Sequence, residues 1–235
     1  MRKQKLVSNN IYHVFNRGVE KRQTFMDEHD YLRFVNNLAI FNDENPVLNA
    51  KYRAKKMGLI KDDDREPLVD ILAFCLMPNH FHLLLRQKKE TGISRFMNKI
   101  GVGYTNYFNM KYERVGSLFQ GTFKAVLIDE ESQFLYIPYY IHSNPLDLIF
   151  PNRQNTGISK LKLESAIDFL KSYKWSSHGD YIGMPNFTKI INPDFLNEIF
   201  ISPENYQKEF KRFIKDSDFS EMSDLLIDSI DSKNR

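Results

Sequence analysis

Apolar and aromatic residues follow two rhythms along this chain. The stretch Asn10-Ile-Tyr-His-Val-Phe-Asn-Arg-Gly18 partly alternates and is rich in β-branched and aromatic side chains, which predicts a first strand. From Asp27, a residue suited to capping, Tyr31, Leu32, Phe34, Val35, Leu38 and Phe41 recur at helical spacing. Residues 42–66 are polar and predict a loop or insertion, with a short helix around Lys51–Met57. Val69–Met77 and His80–Arg86 are nearly continuous apolar runs divided by Pro78-Asn79, as expected of neighbouring strands in the middle of a covered sheet. Ile93, Phe96, Met97, Ile100, Tyr104 and Phe108 make one stripe of a helix from about 93 to 108. Ser117–Ile128 reads as a further strand. Asp129-Glu-Glu-Ser then opens a helix carrying Phe134 to His142, with Asn144-Pro145 as its stop.

The order β-α-β-β-α-β-α predicts an α+β fold, a ferredoxin-like (RRM-like) antiparallel sheet with helices on one side and a further helix at the end. After Pro151 the pattern turns mostly helical, over 165–172, 193–200, 203–214 and 220–230. The expected organisation is a domain over 1–150 and a helical C-terminal extension over 151–235.

Composition narrows the class. The 235 residues are 42% hydrophobic and 27% charged, which suits a folded protein and excludes a disordered chain. No run reaches the length of a membrane helix, and the basic start has no apolar segment behind it to make a secretory signal. The lone Cys75 excludes an internal disulfide and a cysteine-rich zinc site. A cytoplasmic, nucleoid-associated location is expected. Charge is uneven: residues 1–130 hold 21 Lys and Arg against 15 Asp and Glu, the remainder 12 against 15. A basic N-terminal part is compatible with a polyanion partner, although most such imbalances are solvated surface.

Two short patterns carry chemistry. His80 and His82, two apart on a strand, share a face and can hold one divalent cation between them. The plainer reading is a pair of half-exposed strand histidines, because two ligands do not make a site. Tyr140 and Asn144 stand four apart, so a helix puts them on one face, a phenol beside a neutral amide oxygen. Here the plainer reading is a packed aromatic and an ordinary helix stop.

Taken together, Pro78-Asn-His-Phe-His-Leu-Leu-Leu85 and Tyr140-Ile-His-Ser-Asn-Pro145 resemble the single-tyrosine HUH transposases, in particular the branch associated with repetitive extragenic palindromes (REPs). Tyr12-His-Val-Phe-Asn-Arg-Gly18, Gly116-Ser-Leu-Phe-Gln-Gly-Thr-Phe-Lys124 and Tyr173-Lys-Trp-Ser-Ser177 extend the likeness over about residues 8–183, in the family's order. The resemblance implies that Tyr140 is the nucleophile and that His80, His82 and Asn144 hold Mg²⁺ or Mn²⁺. The implied reaction cuts single-stranded or hairpin DNA through a 5′-phosphotyrosine. It departs from the pattern at Thr122, where many relatives have Arg, and at Pro138 inside the tyrosine helix.

For DNA contact, Arg17, Lys124 and Arg114 are the leading candidates, with Arg95, Lys99 and Lys111 interleaved among aromatics. The competing expectation is that most of those aromatics are core. Tyr136 could share the face of Tyr140, whereas His13 and His142 read as packed or surface histidines. The relatives that carry such an extension imply a monomer, with a dimer as the other possibility. Two other functions compete: a nucleic-acid-binding module of the same fold without catalysis, and a metal-dependent hydrolase that uses water in place of Tyr140.

Overall fold

The computed structural model describes residues 5–46, 65–151, 153 and 158–216. The short helix expected around Lys51–Met57 and the one over 220–230 lie outside the described residues. Four strands, β1 (Ile11–Arg17), β2 (Val69–Met77), β3 (His80–Gln87) and β4 (Lys124–Ile128), form one sheet in the order β2-β3-β1-β4. Every neighbouring pair is antiparallel. With helices α1 (Glu28–Phe41) and α2 (Gly92–Lys111) as the crossovers, this is the ferredoxin-like arrangement.

Asp27 caps α1 as expected, accepting from the Asp30 N–H at 3.1 Å. The apolar stripes of α1 and α2 cover one face of the sheet, where the Phe34 and Phe81 rings meet at 5.0 Å. The two helices lie so close that a Cβ on Gly103 would stand 2.4 Å from the Phe41 ring. Their far ends are clipped by Asp30, fully buried, which accepts from the Tyr107 and Tyr112 hydroxyls and from Lys111 Nζ.

Helix α3 (Glu131–Ser143) lies over the opposite face. Asn144 does not end the helical path: a 3-10 turn, Asn144–Leu148, carries it on. A second correction concerns 117–128, where only Lys124–Ile128 is strand. Residues 117–123 are a loop, entered at Gly116 (φ 86) and bent again at Gly121 (φ 70), conformations that glycine supplies at little cost. The loop still touches the sheet, through a bridge from Gly18 to Phe119 and the Asn16 amide donating to the Gly121 carbonyl at 3.2 Å.

The C-terminal region folds as α4 (Lys160–Ser172), α5 (His178–Tyr181), α6 (Asp194–Phe200) and α7 (Pro203–Asp216). It shares one hydrophobic core with the sheet domain. Segment 173–177 runs along the free side of β2, with Leu76 N–H donating to the Trp175 carbonyl and Ser177 N–H to the Phe74 carbonyl. Trp175 itself stacks on Tyr31 at 4.6 Å and is packed against the sheet domain.

Candidate active site

The site stands on the sheet face beneath α3. Side chains two apart on a strand share a face, and partners across a ladder share it too. The register sets Arg17 opposite His80, Phe15 opposite His82 and Lys124 opposite Phe15. His80, His82, His13, Arg17 and Lys124 therefore project from one side of the sheet. The His80 and His82 rings are 5.0 Å apart and nearly perpendicular.

Tyr140 comes down onto this face from α3. Its ring meets His82 edge-on at 5.6 Å and His13 at 5.8 Å. The other tyrosines of the helix point elsewhere. Tyr139 packs against Phe200, Tyr206 and Phe210, and Tyr136 is exposed beside Phe213. Of the three, Tyr140 is the one beside the histidines. One turn on, the Asn144 side-chain amide donates to the Tyr140 carbonyl at 2.8 Å, which turns Oδ1 away from that bond and leaves it to accept elsewhere.

The histidine pair is less symmetrical than its spacing suggests. His80 is half-buried, whereas His82 is fully buried, which corrects the half-exposed pair of the plainer reading. Burial, reinforced by the nearby His80, His13 and Arg17, pulls the His82 pKa well below the usual histidine value. His82 is thus a neutral imidazole at pH 7, the form that ligates a metal. Its Nδ1 lies 2.9 Å from His13 Nε2, and its Nε2 is buried with no hydrogen-bond partner among the described residues. Such an orphan in a fully packed place is costly unless something else satisfies it. A divalent cation fits that requirement, with a second imidazole and an amide oxygen as the remaining protein donors.

The basic residues divide into two sets. Arg17 and Lys124 are on the histidine face, Arg17 close enough to depress His82. Arg114 is not brought there: from just beyond the end of α2 it bonds Asn109 at 2.8 Å and covers the Phe108 ring, both on that helix. Arg95 pairs with Glu44, and Lys99 donates to the Asp43 and Asn45 carbonyls. Lys111 is taken by Asp27 and Asp30. Phe96 and Tyr104 are core, as the competing expectation held.

Behind α3 lies a second buried polar cluster. His142 Nδ1 is 2.7 Å from Tyr206 Oη and its Nε2 is 2.8 Å from Ser177 Oγ. Ser177 Oγ also accepts from Phe74 N–H, and His178 Nδ1 reaches the same Tyr206 hydroxyl at 3.3 Å. This cluster joins α3 to β2, α5 and α7. The sequence reads His142 as a packed or surface histidine, and the structure makes it a packed one. Its partners lie too far along the chain for local spacing to reveal them.

Comparison with known proteins sets these residues in context. Residues 38–144 match the family model described as "Transposase IS200 like", a span that contains His80, His82, Tyr140 and Asn144. No curated protein sequence matches the chain. Among solved structures, one described as "Structure of the REP associates tyrosine transposase bound to a REP hairpin" superposes with a TM-score of 0.48 at 11% identity, covering 83% of this chain and 91% of that one.

Proposed function

We propose, starting from the match of residues 38–144 to the IS200-like transposase family model, that this chain belongs to that family and cuts and rejoins single-stranded DNA beside a hairpin. The observation that carries the reading is the Tyr140 ring set edge-on to His82, 5.6 Å away, over a face that also holds His80, Arg17 and Lys124. A nucleophile, a cation site and phosphate-binding charge meet there.

His80, His82 and the Asn144 amide oxygen would hold Mg²⁺ or Mn²⁺, which supplies a Lewis acid for the scissile phosphate. Tyr140 Oη attacks phosphorus as the bond to the 3′ oxygen breaks, leaving a 5′-phosphotyrosine and a free 3′-hydroxyl. The 3′-hydroxyl of an incoming strand reverses the step, so the phosphodiester energy is retained and no nucleotide cofactor is needed. Arg17 and Lys124 hold the strand through its phosphates. The motifs of residues 8–183 support the REP-associated branch and hence a hairpin as the feature gripped. With α3 held inside its own chain by Tyr206 and Ser177, the active unit is a monomer.

One observation favours the non-catalytic reading of the same fold: Tyr140 is only 1% exposed. Cleavage therefore requires α3 to give way as the strand enters, and a pure binding module would have no such requirement. The two are separated by incubating the chain with a library of hairpin-bearing single strands and Mn²⁺, then mapping covalent adducts by mass spectrometry. An adduct on Tyr140 is expected. Retention of DNA without any adduct would establish the binding module instead.

A further inference from the structure

We infer that the cleft between α2 and the loop 116–123 takes one unpaired nucleobase of the bound strand, and that Gly101 keeps room for that base. This deepens the transposase reading above and rests on it for the identity of the strand.

The cleft has a volume of about 620 Å³, within the range of ligand pockets. The ends of two strands lay its floor. Asn16 and Phe81 are partners across the β1–β3 ladder, Asn16 between Phe15 and Arg17, Phe81 between His80 and His82. Successive residues of a strand point to opposite faces, so the cleft and the candidate active site share one end of the sheet, on opposite sides of it. Phe123, in the cleft, directly precedes Lys124, which is on the histidine face. β4 is the edge strand, so a single strand of DNA crossing its start at Lys124 reaches both places.

The lining selects the ligand. None of the described residues around the cleft is charged, so it is no place for a phosphate. Phe81, Phe119 and Phe123 give it aromatic walls, the first two rings meeting edge-on at 5.6 Å. Asn98 and Asn106 bring exposed amides to it from α2. Aromatic faces beside neutral donors and acceptors suit a heterocyclic base, stacked on its face and read along its edge. The loop wall is fixed beforehand: Val19 N–H donates to the Leu118 carbonyl, Gln120 N–H to that of Arg17, and the Asn16 amide to that of Gly121.

The glycines of α2 differ in what they are for. Glycine inside a helix is unfavourable relative to alanine, so each needs a reason. Gly103 has one in the nearby Phe41 ring, but a Cβ on Gly101 would meet no neighbouring atom within 4 Å. Gly101 lines the cleft, and the space its missing side chain leaves belongs to the cleft.

The test uses the full chain and a hairpin with an unpaired flank, made abasic at one unpaired position at a time. An abasic site keeps the phosphate and removes only the base. One position should lose about 5- to 100-fold in affinity. The factor should be the same at low and high salt, since no phosphate contact is lost. Gly101→Leu fills the cleft and should weaken binding of the intact strand by a similar factor, cancel the abasic penalty and leave the melting temperature no lower than wild type. Asn98→Ala and Asn106→Ala, at exposed positions, should flatten the preference among the four bases there. Equal tolerance of abasic sites at every position, or a penalty undiminished in Gly101→Leu, would overturn the inference. A Tyr140 adduct without any abasic penalty would overturn the base site and keep the transposase reading. A penalty without any adduct would support the base site and overturn cutting.

Discussion

The side chain of Tyr140, on a helix near the middle of the chain, rests edge-on against the ring of His82 from the sheet, the planes 84° apart. Tyr139, one residue earlier, points into the C-terminal helices, so neighbouring phenols on one helix serve different neighbourhoods.

Replacement of Tyr140 by Phe keeps that ring contact and removes only the hydroxyl. Covalent attachment and strand cleavage should fall by about 10³-fold or more, while hairpin binding and melting temperature stay close to wild type. Gel retardation and a denaturing gel of the same reaction measure both. Persistent adducts in this variant would shift the nucleophile to another tyrosine.

The two histidines should differ in what their loss does to folding. His82→Ala empties a fully buried position and should cost about 2 kcal/mol, whereas His80→Ala at a half-buried one should cost under about 1 kcal/mol. Both variants, like the wild type in EDTA, should lose cleavage. Urea denaturation beside a nicking assay separates the two effects, and full activity in EDTA would end the metal mechanism.

Phosphate contacts can be counted through salt. Arg17→Ala and Lys124→Ala should each flatten the plot of log affinity against log salt by about 0.7 to 0.9. Arg114→Ala, whose side chain is spent on Asn109 and Phe108, should leave the slope unchanged. The same strand offered as a perfect duplex should be cut far less than the free strand or the hairpin with an unpaired flank, since a duplex resists bending into the cleft. Equal cutting of all three forms would point to an ordinary nuclease.

Acid should loosen the back of α3. Burial, with a smaller part from Lys171, holds the His178 pKa down at about 3, and burial also holds His142 well below the usual value. The unfolded chain, with histidine near 6.5, then binds more protons than the folded one at any pH between the two values. Stability is full above about pH 6.5 and is lost as the pH falls toward 3. His178 alone should remove about 2 kcal/mol by pH 5. Urea midpoints across that range measure it. Tyr206→Phe, which deletes the hydroxyl shared by both histidines, should cost about 1–3 kcal/mol at neutral pH.

Much of the site was readable in the sequence because it is periodic. A spacing of two on a strand puts His80 and His82 on one face, and a spacing of four on a helix puts Asn144 below Tyr140. The boundaries of β1 follow from its partial alternation, and those of β2 and β3 from two apolar runs divided by Pro78-Asn79. What stayed hidden depends on distant partners. Arg95, Lys99 and Lys111 look free for phosphate until the fold brings Glu44, the Asp43 carbonyl, Asp27 and Asp30 to them. His13 gains its meaning from a diagonal across the β1–β3 ladder. The loop at 117–123 reads as strand because Phe119 and Phe123 mimic alternation. Two glycines at positive φ decide otherwise.

The run of contacts along β2 has a consequence for how copies of this chain behave in a crowded solution. A sheet edge with bare amides and carbonyls is a template on which another copy can add a strand, the first step to aggregation. On β2 the Leu76 and Phe74 amides and the Phe74, Leu76, Leu72 and Ile71 carbonyls are all met by groups between Tyr173 and Asn192 of the same chain. The opposite edge, β4, spans five residues and begins with a lysine, too short and too charged to recruit a neighbour. The C-terminal region thus acts as a built-in edge guard, and its removal should expose a sticky border before it exposes any catalytic group.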